Sequence, residues 1–334
     1  MYKILTRKHK PDIAIDFGTA NTRIMTATEG IVFDEPSLCC FSGGTGRKTR
    51  VAAGIEAKKM RGHDSADLTI VRPLSYGVLN NIDAARMFLD YAIRSSIGRP
   101  RRGGLTATIG VPTDATSAER NALMTAARDA GISSIKLVDE TIAAAHGADI
   151  EIDGPTGAMI VECGAGLTEA VILSLGGLCE RAAIRKGGDS MDQSIADYLH
   201  FKHKFLIGKN MAEQTKLALV EQMITDAGAT GSIEVKGQNM ATGLPETRSV
   251  PVQELAALAR KHINAIADMS ANLLGNTAPE LCDDIHSNGI ILTGGSAAIN
   301  LIGQTLTDRI GVPVAVADQS KSCVARGLHS AMVH

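Results

Sequence analysis

Three stretches of the chain set an acid or small residues where a strand gives way to a turn. Asp12–Thr28 reads DIAIDFGTANTRIMTAT. Ile13, Ile15 and Phe17 alternate with Ala14 and Asp16, which is a strand period. Gly18-Thr19-Ala20-Asn21 breaks the pattern with turn-forming residues, and Thr22, Ile24 and Met25 resume an extended run. The segment predicts a β-hairpin with an acid at the end of its first strand. A small-residue turn can aim backbone N–H groups at a phosphate with no bulky side chain in the way. Asp16, beside it, is placed to hold Mg²⁺ through water. One such hairpin is weak evidence, but Ala158–Leu175, AMIVECGAGLTEAVILSL, repeats it with Glu162 as the acid and Gly164-Ala165-Gly166 as the turn. Gly289–Ala298, GIILTGGSAA, is a buried-type strand running into Gly294-Gly295-Ser296.

Two hairpins of this kind in two similar halves, followed by a TGG turn, resemble the actin-like nucleotide-binding superfamily. Within it the chain is similar to the MreB family of bacterial actin homologues. The matching stretches are IDFGTANT at Ile15–Thr22, GIVFDEPS at Gly30–Ser37, RPLSYGVL at Arg72–Leu79, VPTDATSAER at Val111–Arg120, GGDSMDQSI at Gly187–Ile195 and CVARGLHSA at Cys323–Ala331. They span nearly the whole chain in one order. The resemblance implies an α/β, actin-like two-lobed ATPase fold, with two duplicated mixed-sheet domains that each carry a small subdomain. The first lobe would cover 1–145, with its subdomain at about 33–74, and a C-terminal helix at about 318–334 would return to it. The second would cover 146–317, with its subdomain at about 190–245.

The same resemblance assigns roles. ATP would lie between the lobes, clamped by Gly18, Thr19, Ala20 and Asn21 on one side and by Gly164, Ala165, Gly166 and Leu167 on the other. Gly188 and Asp189 belong to the same nucleotide set. Glu213 and Lys216, one helical turn apart, stand where the family holds ribose and base, and Gly294, Gly295, Ser296, Ala297 and Ala298 where it backs the nucleotide. Glu140 occupies the position that orients the attacking water, where a carboxylate polarises it as a general base would. Asp16 and Glu162 would hold Mg²⁺, through water.

Three departures fall in the second turn. The family has Asp where Glu162 stands, Gly at Ala165 and Thr at Leu167. Mg²⁺ demands tight octahedral geometry, and Glu is longer than Asp by one C–C bond, about 1.5 Å. Leu167 cannot donate a hydroxyl hydrogen bond, a loss of about 1 kcal/mol. Ala165 restricts positive φ. Slow ATP hydrolysis in a divergent family member is the expectation.

Composition bounds the rest. At 334 residues the chain is long enough for about two domains. A net charge of −2 supplies no global field for nucleic acid, and the absence of Trp disfavours stacking on single strands. The six cysteines lack metal-ligand spacing and suit the cytosol. No apolar run reaches the ~20 residues of a membrane span. Strands and helices alternate in both halves, among them a helix at Ile82–Ser95, a strand at Leu105–Val111, a capped helix from Thr116, a short strand at Ile135–Val138 and an Ala-rich helix Glu140–Ala148 crossing to the second half. Met1–Lys10, MYKILTRKHK, puts Met1, Ile4 and Leu5 on one helical face and Lys3, Arg7 and Lys10 on another, an interfacial pattern for anionic lipid. The family resemblance implies a homopolymer filament, a cytoplasmic protein peripheral at the inner face of the membrane, cell-shape or membrane adaptor partners, and no nucleic acid. Two other classes of the superfamily fit less well. No sugar-kinase stretch is present, and the chain ends within about forty residues of the TGG turn, too soon for a chaperone's peptide-binding domain.

Overall fold

The computed structural model describes residues 11–43, 49–62, 67–98, 104–225 and 231–333. Met1–Lys10, and with it the interfacial pattern, lies outside the described residues.

Two five-stranded sheets carry the fold, and their connectivity is the same. In the first, Ile13–Phe17, Asn21–Thr26 and Gly30–Pro36 form an antiparallel meander. Leu105–Val111 then pairs parallel to Ile13–Phe17, and Ile132–Asp139 pairs parallel to Leu105–Val111. In the second, Ala158–Cys163, Thr168–Ser174 and Gly177–Ile184 make the meander. Ile290–Thr293 pairs parallel to Ala158–Cys163, and Val314–Val316 follows on the outside. The repetition seen in two hairpins therefore extends to whole sheets.

The central strands are buried on both faces, which explains their composition. Ile13, Ile15 and Phe17 enter one core with Phe88 and Leu89 of the helix Ile82–Ile97. Ala14, on the opposite face, meets the terminal helix Cys323–Val333. In the second lobe Met159, Val161 and Cys163 face the helices Val252–Gly275 and Asn300–Ile310, while Ile160 faces the Ala-rich helix Glu140–Gly147. Local signals agree with this packing. Thr116 and Glu119 form a reciprocal capping box, and Asn81 accepts a hydrogen bond from the Ala84 amide to cap its helix.

Each lobe carries a smaller unit. In the first, Cys39–Ser42, Thr49–Ala53 and Leu68–Val71 form a sheet beside the helix Gly54–Met60. In the second, Phe205–Leu206, Ser232–Asn239 and Pro245–Pro251 pack with the helices Gly188–His203 and Lys209–Thr225.

The two chain crossings between the lobes meet at one place. Glu140–Gly147 lies between the sheets, with Ala143 and Ala144 in the first-lobe core and Ala145 in the second. It crosses Cys323–Val333 at two glycines. A Cβ added at Gly147 would sit 1.8 Å from the Cys323 carbonyl oxygen, and one at Gly327 would sit 1.7 Å from that of Ala143. Only hydrogen fits at such a backbone-to-backbone crossing.

Candidate functional site

The two hairpin turns face each other across a cleft of about 440 Å³. They are built alike. The Gly18 amide donates to the Asn21 carbonyl at 3.1 Å, and the Gly164 amide to the Leu167 carbonyl at 2.9 Å. A Cβ at either glycine would press on its own acceptor, at 2.7 and 2.9 Å. Each turn is tethered from behind. Ser37 donates from its hydroxyl to the Gly18 carbonyl at 2.6 Å and from its amide to that of Ala20 at 2.9 Å. The second turn receives the amides of Gly188 and Asp189 on the carbonyls of Gly164 and Ala165, and the Ser296 hydroxyl on that of Gly164. With their carbonyls held from behind, both turns are fixed against the cleft.

Asp16, Gly18, Thr19, Ala20, Asn21, Glu140, Glu162, Gly164, Ala165, Gly166, Leu167, Gly188, Asp189, Glu213, Lys216, Gly294, Gly295, Ser296 and Ala298 all line this one cleft. Ala297 does not; it is fully buried in the second-lobe core behind the TGG turn.

Asp16, Glu162 and Glu140 are the cleft acids nearest the strand ends and the start of the crossing helix. Asp16 ends the first hairpin's leading strand and accepts from Arg23 at 3.1 Å. Burial raises its carboxyl, and the Arg23 charge opposes that shift. Glu162 lies between the second and third turns. Its Oε2 would be 3.4 Å from a Cβ on Gly164 and its Oε1 2.6 Å from one on Gly294, so the bare Gly294 makes room for the longer acid. Glu140 begins its helix against Gly110, where a Cβ would come within 3.2 Å of Glu140 Cγ. Glu140 and Glu162 both line the cleft. Burial, and then each acid's charged neighbours, lift both carboxyls well above the ordinary range.

Cross-cleft contacts define the cleft's walls and were not read from the sequence. Arg72 pairs with Asp189. Within the first lobe the Thr19 hydroxyl accepts from the Gly77 amide at 3.0 Å, and across the cleft a Cβ on Gly166 would be 2.8 Å from the Tyr76 backbone. Leu167 is buried, and its Cδ2 would lie 3.2 Å from a Cβ on Gly77, so its side chain fills the space where Gly77 and Pro112 meet. At the outer rim Glu213 bonds Lys58 at 3.2 Å and Arg61 at 3.1 Å, both from the opposite lobe. Burial opposes the charge on Glu213, but these cations outweigh it and lower its carboxyl below the usual range. Lys216 reaches Asp192 at 2.9 Å and the Gly188 carbonyl at 3.1 Å. Arg23 also lines the cleft. Its place was legible: counting back through the hairpin register sets it opposite Asp16.

Two sheets of identical strand order, with a cleft between them closed by paired glycine turns, define the actin-like class of proteins. The family model described as MreB/Mbl protein matches residues 10–334. The cell shape-determining protein Mbl of Bacillus subtilis (strain 168) is 34% identical over 321 residues, covering 95% of this chain and 94% of the relative. The cell shape-determining protein MreB of Escherichia coli (strain K12) is 33% identical over 322 residues, covering 95% and 91%. Among solved structures, MreB5 of Spiroplasma citri bound to AMPPNP superposes with a TM-score of 0.88 at 29% identity, covering 96% and 95% of the two chains. A MamK double helical filament shares the fold, with a TM-score of 0.72 at 22% identity, covering 95% and 97%. The chain belongs to the MreB/Mbl family.

Proposed function

We propose that this chain binds ATP in the interlobe cleft, hydrolyses it slowly and assembles into filaments that serve bacterial cell shape or intracellular organisation. The observation that carries the reading is the pair of matched turns, Gly18–Asn21 and Gly164–Leu167, facing one cleft from two lobes. Such turns present amides to phosphate, and a ligand gripped from both sides couples its chemical state to the lobe angle. Relatives at about one-third identity are named cell shape-determining proteins, and MreB5 of Spiroplasma citri has been solved with AMPPNP and with ADP. Filaments follow when a head-to-tail contact between copies does not close into a ring.

In this reading the amides of Thr19, Ala20 and Asn21 hold phosphate from the first lobe and those of Ala165, Gly166 and Leu167 from the second. Glu213 and Lys216 take the ribose and base, and Gly294, Gly295, Ser296 and Ala298 form the back wall. Asp16 has Oδ1 on the side of its turn, 3.7 Å from a Cβ built on Gly18, and Glu162 faces the cleft. Mg²⁺ keeps several waters and takes one or two carboxylates with the phosphates. Among the described residues no group of three or more His, Cys, Asp or Glu could ligate a metal directly, so these two acids fit an ion held through water. When bound, Mg²⁺ supplies positive charge that favours the ionised acids. Glu140 orients water for attack and must be ionised to accept its proton. Glu162, Ala165 and Leu167 make that turnover slow.

Among the described residues no helix is long and apolar enough to cross a membrane. We place the protein in the cytoplasm, peripheral to the inner membrane face through Met1–Lys10, with membrane or cell-shape adaptors as further partners.

Pelleting and negative-stain microscopy test assembly. Filaments with ATP or AMPPNP are expected. Concentrated, folded protein that stays monomeric with either nucleotide, with and without anionic liposomes, would overturn the proposal.

A further inference from the structure

The first hairpin holds a cation as well as an acid. Register sets Asp16, Arg23 and Asp34 abreast on three adjacent strands. Side chains opposite one another in a sheet share a face. Arg23 therefore lies between two carboxylates. Its Nη1 donates to Asp16 Oδ2 at 3.1 Å and its Nε to Asp34 Oδ2 at 3.1 Å. Asn21, at the end of the turn, donates from Nδ2 to Asp34 Oδ1 at 3.1 Å, joining the turn to the same network. The Arg23 side chain is 14% exposed and that of Asp16 10%. Both line the cleft wall that carries Thr19, Ala20 and Asn21.

A buried carboxylate next to a polyphosphate is repelled unless a cation lies near, and in a poorly solvated cleft that repulsion is strong. A divalent ion ordinarily supplies the cation. Here the protein has one in place, fixed from both sides and always charged. The guanidinium takes one oxygen of Asp16 and leaves the other on the side of the turn.

We propose that Arg23 is a resident cation of the phosphate end of the cleft, and that it lets this chain bind adenine nucleotides with little dependence on Mg²⁺. The inference rests on the nucleotide reading of the cleft and concerns the metal dependence of that binding. Arg23 acts by neutralising Asp16 and positioning it. Asp34 keeps the guanidinium from swinging away.

The test is equilibrium binding of fluorescent ADP and ATP analogues, followed by anisotropy in Mg²⁺ and in EDTA. Wild type, Arg23→Met and Asp34→Asn are compared, with folding checked by circular dichroism. Wild-type affinity should change by less than about threefold on removing the ion, while Arg23→Met should lose about tenfold or more in EDTA and recover in Mg²⁺. Asp34→Asn, which keeps an acceptor for the guanidinium but loses the ion pair that holds it, should fall between them and stands in if Arg23→Met does not fold. A wild-type loss beyond about threefold in EDTA overturns the inference, as does a variant whose response to Mg²⁺ matches that of wild type. Absence of binding by wild type in both buffers would instead overturn the nucleotide reading, and the inference with it.

Discussion

Glu162 and Glu169 stand directly opposite each other on the two strands of the second hairpin. Like charges so placed repel. Glu162 is turned to the cleft, while Glu169 reaches the first lobe and accepts from the amides of Thr113 at 2.9 Å and Asp114 at 3.3 Å. One hairpin thus supplies an acid to the candidate site and a second acid that holds the lobes together.

That second acid makes stability depend on pH. Burial first, and then the charge of Asp114, push the Glu169 carboxyl up to about 7. In the unfolded chain it titrates near its ordinary value of about 4.3. Between those values folding takes up a proton, so stability falls as pH rises through the window; below the window this penalty is absent. Glu169→Gln keeps an acceptor for both amides and removes the charge. Thermal unfolding from pH 5 to pH 8 should show the variant gaining on wild type as pH rises, by at most about 3 kcal/mol. A gap independent of pH would be the wrong result.

Turnover is predicted to be limited by the second turn. Replacing Glu162 by Asp, Ala165 by Gly and Leu167 by Thr together should raise phosphate release while nucleotide affinity changes little. The three positions share one loop, so single changes should not add. Leu167→Thr also removes buried packing against Gly77 and Pro112, at a cost of about 1–3 kcal/mol in stability. Faster release from a less heat-stable protein is therefore the expected pair of results. A wild-type rate already equal to that of the triple variant would refute the idea.

The helix crossing should tolerate no side chain. Gly327→Ala would set a methyl group against the Ala143 carbonyl, with backbone on both sides and no rotamer to escape into. Overpacking of this kind costs about 1–3 kcal/mol or more. Thermal melting should show the loss, and Gly311→Ala, which meets nothing within 4 Å but sits at positive φ, is a useful comparison. A Gly327→Ala protein as stable as wild type would mean the helices are not in contact there.

Much of this was readable because it is local. The period of Ile13, Ile15 and Phe17, the turn glycines and the Thr116 capping box depend on residues a few positions apart. The strand expected at Ile135–Val138 runs from Ile132 to Asp139, because polar Ser133 and Ser134 sit on a sheet edge where apolar alternation is not required. The helix Pro279–Asn288 has a single fully buried residue, Ile285, and shows the core only a short stripe of Leu281 and Ile285; Pro279 at its first turn is the stronger signal. The strand Gly177–Ile184 is hidden for a similar reason, since Ala182 and Ala183 blur its alternation. The pairing of Glu213 with Lys58 and Arg61 joins residues more than 150 positions apart in different lobes, and nothing in local spacing foretells it. Arg23 and Glu169 are legible, because each faces an acid of the hairpin motif at a register that the turn length sets.

The glycine crossing has a mechanical consequence. The two helices that link the lobes meet at one narrow contact, Gly147 against Cys323 and Gly327 against Ala143, so a rotation of one lobe on the other would turn about that point. The Lys58–Glu213 pair joins the smaller units of the two lobes across the cleft. Such a rotation would open or close this pair, because an ion pair is made or lost over a few ångströms. The cleft is built like a pair of tongs, with a joint packed too tightly to slip and ion-paired tips that such a rotation would part or bring together.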